Sequence, residues 1–366
     1  MTSIAPLMRT ADDPKATSKH TLCGYGWGDV QTALLRAIGN ADMARAQRWG
    51  AELVCSELGL GRLEAVLLHA WSLHVGSAHP GWGRQWYNSV GQLRALWQRS
   101  GGDTKSIRNT PTVRQFVGEA IASLVLAAKK PLPTLPTAAD CFREAEGMRA
   151  RLRAGGGVGD QPATRRLWAS GVDGGDLKTI GNELEASLRA AQTSRLLFWI
   201  TWFFTLEAQP DAPPAKERGP AHLSVKARKS LLWFLVALLK TLADETAFLS
   251  VDERAGLFGV LEVTWPKLGV KGRRDVIAAV ALALQDHVLL KGGAMTVAPP
   301  SVGPSMGAVR ASLTMLDTMY SNIGEEARRF QLEVPKLVGL TGTAEPVAKP
   351  RLSSQDKLSL VFSLSR

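Results

Sequence analysis

The sequence predicts an all-α protein built from antiparallel helix pairs. Apolar residues recur at intervals of three and four along nearly every long segment, which is the spacing of one face of a helix. Helix-capping residues stand before several of these stripes, and no run of four segments alternates apolar and polar residues as strands do. We therefore expect about eleven helices in two helical lobes, with flexible tails at both ends.

The apolar stripes follow one another along the chain. An early stripe within residues 84–98 joins Trp86, Val90, Leu93 and Trp97. Later stripes begin at Val113, Ala138, Leu177, Val276 and Met306. Each stripe predicts a helix that buries one face against a neighbour.

Capping residues predict where three of these helices begin. Thr110 is placed to cap the stripe that starts at Val113, and Pro111 suits its first turn because no N–H group is needed there. Two further pairs have the spacing of a capping box: Thr137 with Asp140, and Ser250 with Glu253.

Two strongly apolar runs, 196–206 and 231–239, raise the question of a membrane. Each is shorter than the stretch of about 20 apolar residues that crosses a hydrocarbon core, and charged residues flank both. They are therefore predicted to be buried core helices, and we expect no membrane-spanning segment.

Clusters of turn-forming residues suggest the domain boundaries. The proline-rich segment 131–137 follows the first lobe. The predicted divisions are a flexible tail at 1–23, an N-terminal helical lobe at 24–130, a C-terminal helical lobe at 138–330 and a second tail at 331–366.

Composition indicates a basic globular protein. The 366 residues include 44 Lys and Arg against 33 Asp and Glu, which gives a formal net charge of +11. Only three cysteines are present, so a disulfide scaffold is excluded, and the first residues lack the apolar core of a signal peptide. We expect a reducing intracellular compartment, cytoplasmic or nuclear.

The sequence offers no catalytic or cofactor motif. The glycine-rich stretches 155–160 and 59–62 do not continue into the Lys-Ser/Thr pair of a P-loop, and no strand precedes them. His69 and His74, five residues apart, would not share a helical face as metal ligands do. We expect no enzyme activity, no cofactor and no metal.

Tryptophan is unusually frequent, with eleven residues against three tyrosines. Most fall on apolar stripes and are predicted to lie in the core. Trp27 and Trp82 stand instead between glycines, and are predicted to be exposed in loops where an indole can stack on a nucleic-acid base.

Basic clusters are the main indication of function, because cations in loops before helix N-termini can bind phosphate together with backbone N–H groups. The alternative is a solvated face that only keeps the protein soluble. The candidate nucleic-acid-binding residues are Arg99, Lys105, Arg108 and Arg114 in the first cluster, Lys216, Arg218, Lys226, Arg228 and Lys229 in the second, and Lys267, Lys271, Arg273 and Arg274 in the third. These clusters are expected to converge on one surface or one groove.

Residues 29–57 resemble part of the C-terminal helical domain of clamp-loader-like AAA+ ATPases. The shared features are an apolar helix, a tight turn at Gly39 and Asn40, and Asp42 placed to cap the next helix. The ATPase modules of that family have no counterpart in this chain, so the resemblance implies helix-mediated assembly or a place in a replication complex, and no ATP chemistry.

Residues 355–362 resemble a sliding-clamp-binding peptide. Gln355, Leu358, Val361 and Phe362 occupy the spacing of the Q-x-x-L-x-x-aromatic-aromatic motif, although Val361 stands where that family prefers an aromatic residue. The resemblance implies a protein partner bound through the C-terminal tail. The alternation of apolar residues there also fits a terminal strand packed on the protein's own surface.

Together these observations favour a non-enzymatic, helical nucleic-acid-associated protein, with DNA replication as the suggested setting and binding through the phosphate backbone. No helix-turn-helix, RNA-recognition or zinc-finger signature supports sequence-specific readout. Two alternatives stay open: a nucleocapsid-type protein that holds a strand between two lobes and assembles into oligomers, and a structural subunit of a larger assembly.

Overall fold

The computed structural model describes residues 20–56, 61–99, 110–141, 158–210, 212–246, 250–291 and 303–340. Within these ranges the chain is helical and contains no strand, apart from an isolated bridge between His20 and Gly26. Eleven of the helices in these ranges have seven or more residues. The predicted all-α class is confirmed.

The first part of the chain forms five helices and one short 3₁₀ turn. They are α1 (Trp27–Gly39), α2 (Met43–Ser56), α3 (Gly61–His74), the 3₁₀ turn Gly76–Ala78, α4 (Trp82–Arg99) and α5 (Pro111–Leu126). The second part contains α6 (Pro162–Leu167), α7 (Gly175–Arg189), α8 (Thr193–Glu207), α9 (Val225–Arg228), α10 (Leu232–Glu245), α11 (Val251–Thr264), α12 (Val270–Lys291), α13 (Met306–Ala311) and α14 (Leu316–Leu340).

All three predicted helix starts are confirmed. The Thr110 hydroxyl accepts a hydrogen bond from the Val113 amide at the start of α5. Ser250 and Glu253 form the expected reciprocal capping box at the start of α11. The second capping box forms as well, because Thr137 and Asp140 exchange backbone–side-chain hydrogen bonds of 2.9 and 3.1 Å.

The two apolar runs are core helices, as predicted. Residues 196–206 of α8 are all buried, and α10 buries most of its length beside it. Phe203 of α8 and Phe234 of α10 stack with their ring centroids 6.2 Å apart. Among the described residues no helix is long and apolar enough to span a bilayer.

The hairpin α1–α2 is repeated in the second half as α7–α8. Each first helix begins after an extended glycine and carries an aspartate in its first turn. Two residues after its end stands an alanine with positive φ, Ala41 at 55° and Ala191 at 56°. In both turns the alanine amide donates to the carbonyl three residues back, and the next amide donates to the carbonyl five residues back. Two different sequences therefore adopt the same turn.

The repetition extends to packing. Helix α5 lies against α1, α2 and α3, and α12 lies against α7, α8 and α10. The two halves are joined directly, since α3 packs on α12 and α4 packs on α11. One hydrophobic core therefore continues across the proline-rich segment at 131–137.

Helices α13 and α14 return to the first half. They pack on α5 and α2, where Arg48 bridges Glu52 of its own helix and Glu326 of α14. The Tyr25 hydroxyl donates to the same Glu326 at 2.6 Å, and burial raises the pKa of Tyr25 well above its ordinary value.

Both predicted tails therefore extend less far into the chain than expected. Leu22 and Cys23, at the end of the predicted N-terminal tail, are buried in the core. Helix α14 continues to Leu340, beyond the predicted start of the second tail at residue 331. Residues 1–19 and 341–366 lie outside the described part of the chain.

Helices α4 and α11 run in the same direction in close contact. A Cβ at Gly83 would lie 2.7 Å from the Cα of Leu257, and one at Gly259 would lie 2.7 Å from the Tyr87 ring. Helix α10 runs the opposite way along α11, since Lys240 pairs with Glu262 while Trp233 meets Trp265. The C-terminal ends of α4 and α11 and the N-terminal end of α10 consequently lie toward the same end of the molecule.

The repeated turn makes a prediction about stability. Replacing Ala41 or Ala191 by glycine should raise the free energy of unfolding by about 1 kcal/mol, because a left-handed conformation costs an L-residue roughly that much and glycine nothing. The same replacement within α7, Ala186→Gly, should lower it by about 0.5–1 kcal/mol. Urea unfolding of the three variants measures this, and a loss of stability in A41G and A191G would contradict the shared turn.

Candidate nucleic-acid interface

The first basic cluster is divided. Arg99 is exposed at the end of α4, where its Nε donates to the Ala95 carbonyl at 3.3 Å, and Lys105 and Arg108 lie outside the described residues. Arg114 is only 4% exposed, pairs with Asp317 of α14 at 3.3 Å and lies over the Tyr320 ring. This corrects the prediction for Arg114, whose charge holds α14 on α5 and does not face solvent.

The arginines of the second cluster are also held by internal partners. Arg218 is nearly buried and forms a two-pronged ion pair with Asp173, one prong measuring 2.9 Å, and it donates to the Leu167 carbonyl. Arg228 binds Glu217 and the carbonyls of Ala221 and Leu223. Phosphate contact was predicted for both arginines. In the structure both side chains instead bind residues of the protein itself and hold the loop before α10 in place.

The Asp173 carboxylate organises this loop. It accepts hydrogen bonds from the backbone amides of Ala169 and Lys216 at 2.7 Å each, in addition to those from Arg218. Burial alone would raise the pKa of Asp173, but these hydrogen bonds outweigh it and hold the pKa below its ordinary value. The carboxylate therefore stays charged, and it ties the turn at Ala169 to the loop that carries Lys216 and Arg218.

The third cluster meets the second at a pair of tryptophans. Trp233 of α10 and Trp265 at the end of α11 are both buried, with ring centroids 4.5 Å apart. The Trp233 indole donates to the Ala227 carbonyl at 3.0 Å, which anchors the second cluster. Arg273 lies over Trp265 at 4.8 Å and donates to its carbonyl, which anchors the third. Burial lowers the pKa of Arg273.

Five exposed lysines remain around this tryptophan pair once the arginines are accounted for. We call them the lysine surface: Lys216, Lys226, Lys229, Lys267 and Lys271. None forms an ion pair with an acidic residue in the described part of the chain. The neighbouring acids have other partners, Asp173 and Glu217 being bound by arginines and Glu207 accepting the Leu231 amide at 2.7 Å. Arg274 lies at the edge, partly exposed and 3.9 Å from Asp275.

The two tryptophans and Asp173 are the residues that sequence analysis missed. Trp233 was assigned to a core helix by its apolar run, and nothing in the pattern indicates which helix it contacts. A weak signal was available, because Trp233 follows Lys229 and Trp265 precedes Lys267, so that each tryptophan adjoins a basic cluster.

The predicted stacking tryptophans are not exposed platforms. Trp82 is 0% exposed and stacks on Trp86 at 6.2 Å, which makes the prediction for Trp82 wrong. It opens α4, and the glycine after it permits the close approach to α11. Trp27 is partly buried and the Arg62 guanidinium covers its ring at 4.5 Å.

A histidine and a serine of the first half form a buried pair. His79 Nε2 lies 3.2 Å from the Ser123 hydroxyl, which in turn donates to the Gln85 side chain at 3.0 Å. Both His79 and Ser123 are buried, and the other ring nitrogen of His79 has no hydrogen-bond partner among the described residues. Desolvation by burial lowers the pKa of His79 to about 4, against a weaker opposing effect of Glu253.

No group of three or more metal-ligating side chains occurs in the described ranges. The residues of the proposed clamp-binding peptide, Gln355, Leu358, Val361 and Phe362, lie outside those ranges. Comparison of the chain with protein families, with curated proteins and with solved structures finds no match.

His79 should make the protein sensitive to acid. The unfolded chain takes up a proton as the pH falls through about 6.5, while the folded protein does so only near pH 4. Above pH 6.5 the neutral His79 therefore does not reduce the free energy of unfolding. Below pH 6.5 the free energy of unfolding falls by about 1.4 kcal/mol per pH unit, or about 3 kcal/mol in all by pH 4.

The variant His79→Gln keeps a group that can bond to Ser123 and cannot titrate. The difference in unfolding free energy between wild type and variant, measured by urea titration, should shrink as the pH drops from 6.5 to 4. A difference that stays constant over this range would contradict the buried, neutral histidine.

Proposed function

We propose that this protein binds nucleic acid through the phosphate backbone, independently of sequence, and that the lysine surface makes the contact. One observation carries the proposal. Two basic segments that are far apart in the chain meet at the Trp233–Trp265 contact, where their arginines turn inward and their lysines face solvent.

The type of cation favours backbone binding over base recognition. A lysine ammonium group acts as a point charge, whereas reading a guanine edge depends on the planar fork of arginine. The arginines at this surface use their forks on Asp173, Glu217 and backbone carbonyls. What remains for a ligand is a set of ammonium groups, whose N–H donors rotate freely and are not fixed in a planar fork, and this suits phosphates of any sequence.

The surface is also rigidly supported. The Arg218–Asp173 pair and the two tryptophans fix the backbone from which the lysines project. A preformed surface loses less entropy on binding than one that must order first. A role in DNA replication stays a prediction, because it depends on the resemblance of residues 29–57 alone. A clamp partner for Gln355, Leu358, Val361 and Phe362 also stays a prediction, since these residues lie outside the described ranges.

Salt dependence tests the proposal. The triple variant Lys226→Gln, Lys229→Gln, Lys267→Gln should bind single- and double-stranded DNA and RNA more weakly at low salt. Each lost phosphate contact lowers the slope of log K against log[salt] by about 0.7–0.9, so the triple variant should lose about two to three from its slope.

The control carries the same change in net charge elsewhere. Arg36 on α1 and Arg328 and Arg329 on α14 are exposed, and their replacement by glutamine should leave the slope nearly unchanged. If both triple variants lose the same amount of slope, binding depends on the net charge of the protein and not on the position of the lysines. A wild-type slope near zero would reject the proposal altogether.

A further inference from the structure

Helix α4 has an unusual composition for a helix with one face in solvent. Its eighteen residues, Trp82–Arg99, include no aspartate or glutamate, and its polar residues are asparagine, glutamines, serine and arginines. An ordinary exposed helical face mixes both signs of charge. Helix α4 itself therefore contributes no negative charge that would repel a polyanion.

The exposed residues of α4 form one continuous stripe. Trp86, Val90 and Leu93 are buried and define the inner face. The outer face, which we call the amide face, consists of Asn88, Gln92, Ala95, Gln98 and Arg99, all of them exposed. The side chains of Asn88, Gln92 and Gln98 are exposed, and no hydrogen bond joins them to another residue in the described ranges.

We infer that the amide face is a second contact surface for the nucleic acid that the lysine surface binds, an inference that rests on the proposed function. The two surfaces lie toward the same end of the molecule. Helix α4 runs parallel to α11, and α11 leads directly into Trp265 and Lys267. A strand that leaves the lysine surface at Lys267 can therefore continue along the C-terminal half of α4.

The boundary of this face is set by charge. Toward the start of α4, Arg84 pairs with Asp252 at 3.2 Å, and Glu253 lies against Gly81. These acids make that end unfavourable for a phosphate chain. From Asn88 onward the helix adds no acid, and it ends in Arg99, the exposed member of the first basic cluster.

Amide side chains suit the contacts that lysines cannot make. Each carries both donors and acceptors, and can therefore bind phosphate oxygens, sugar hydroxyls or base edges. Ala95 is small, and Gly91 has open space around it, so a strand can approach the helix closely. From Asn88 to Arg99 the helix rises about 16 Å, which corresponds to about five nucleotides of a duplex strand.

Neutral contacts differ from charged contacts in a measurable way. Breaking a hydrogen bond from an amide weakens binding without changing the number of counterions released. The triple variant Asn88→Ala, Gln92→Ala, Gln98→Ala should therefore bind a long oligonucleotide about 10- to 100-fold more weakly with an unchanged salt slope. Alanine is the best helix former, so this variant is expected to stay folded.

The matched control removes exposed polar groups from another helix. Thr318, Ser321 and Asn322 of α14 are exposed, and replacing them with alanine should leave affinity unchanged. For oligonucleotides about five nucleotides shorter than the full site, wild type and the α4 variant should bind equally well. Thermal unfolding of both variants checks that the fold is kept.

The outcomes separate the two proposals. If wild type binds with a steep salt slope and the α4 variant binds as tightly as the α14 control, the proposal for the amide face is wrong and the proposal for the lysine surface stands. A reduced slope in the α4 variant also overturns it, because the contacts would then be ionic. If wild type binds neither DNA nor RNA, the proposals for the lysine surface and for the amide face are both wrong.

Discussion

The contact between Trp233 and Trp265 determines how the candidate surface is built. It joins the start of α10 to the end of α11, and each indole or its backbone holds the basic segment next to it. The rings are buried and the arginines beside them are held by internal partners, so these groups supply position, and most of the exposed charge comes from lysines. The proposed binding surface depends on this division between internally bonded arginines and exposed lysines.

Two similar halves meet in this molecule, and the surface belongs mainly to the second. The hairpins α1–α2 and α7–α8 share the same turn, and α5 and α12 each pack on the hairpin of their own half. Helix α14 then covers α2 through Arg48 and Tyr25 on one side and Arg114 on the other. In the second half, the loops before α10 and α12 carry the exposed lysines.

The helices were predicted well from the sequence because the apolar repeat of a helix and its capping contacts involve residues only a few positions apart. The capping box at Ser250 and the buried run at 196–206 are examples. Contacts across the fold were not predictable in this way. The sequence predicts Arg114 to be a loop cation, but its partner Asp317 lies far along the chain. It predicts Trp82 to lie in a loop because Gly83 is typical of a turn, whereas Gly83 in fact allows α4 to approach α11 closely. The candidate site was therefore found by charge clustering, but the separation of arginine from lysine required the structure.

Amide hydrogen exchange of the full chain, with and without a long oligonucleotide, tests the central claim most directly. Binding should slow exchange in residues 216–229 and 265–274 together, since we propose that the two segments form one surface around Trp233 and Trp265. Protection of one segment without the other, or protection confined to α2 and α14, would contradict it.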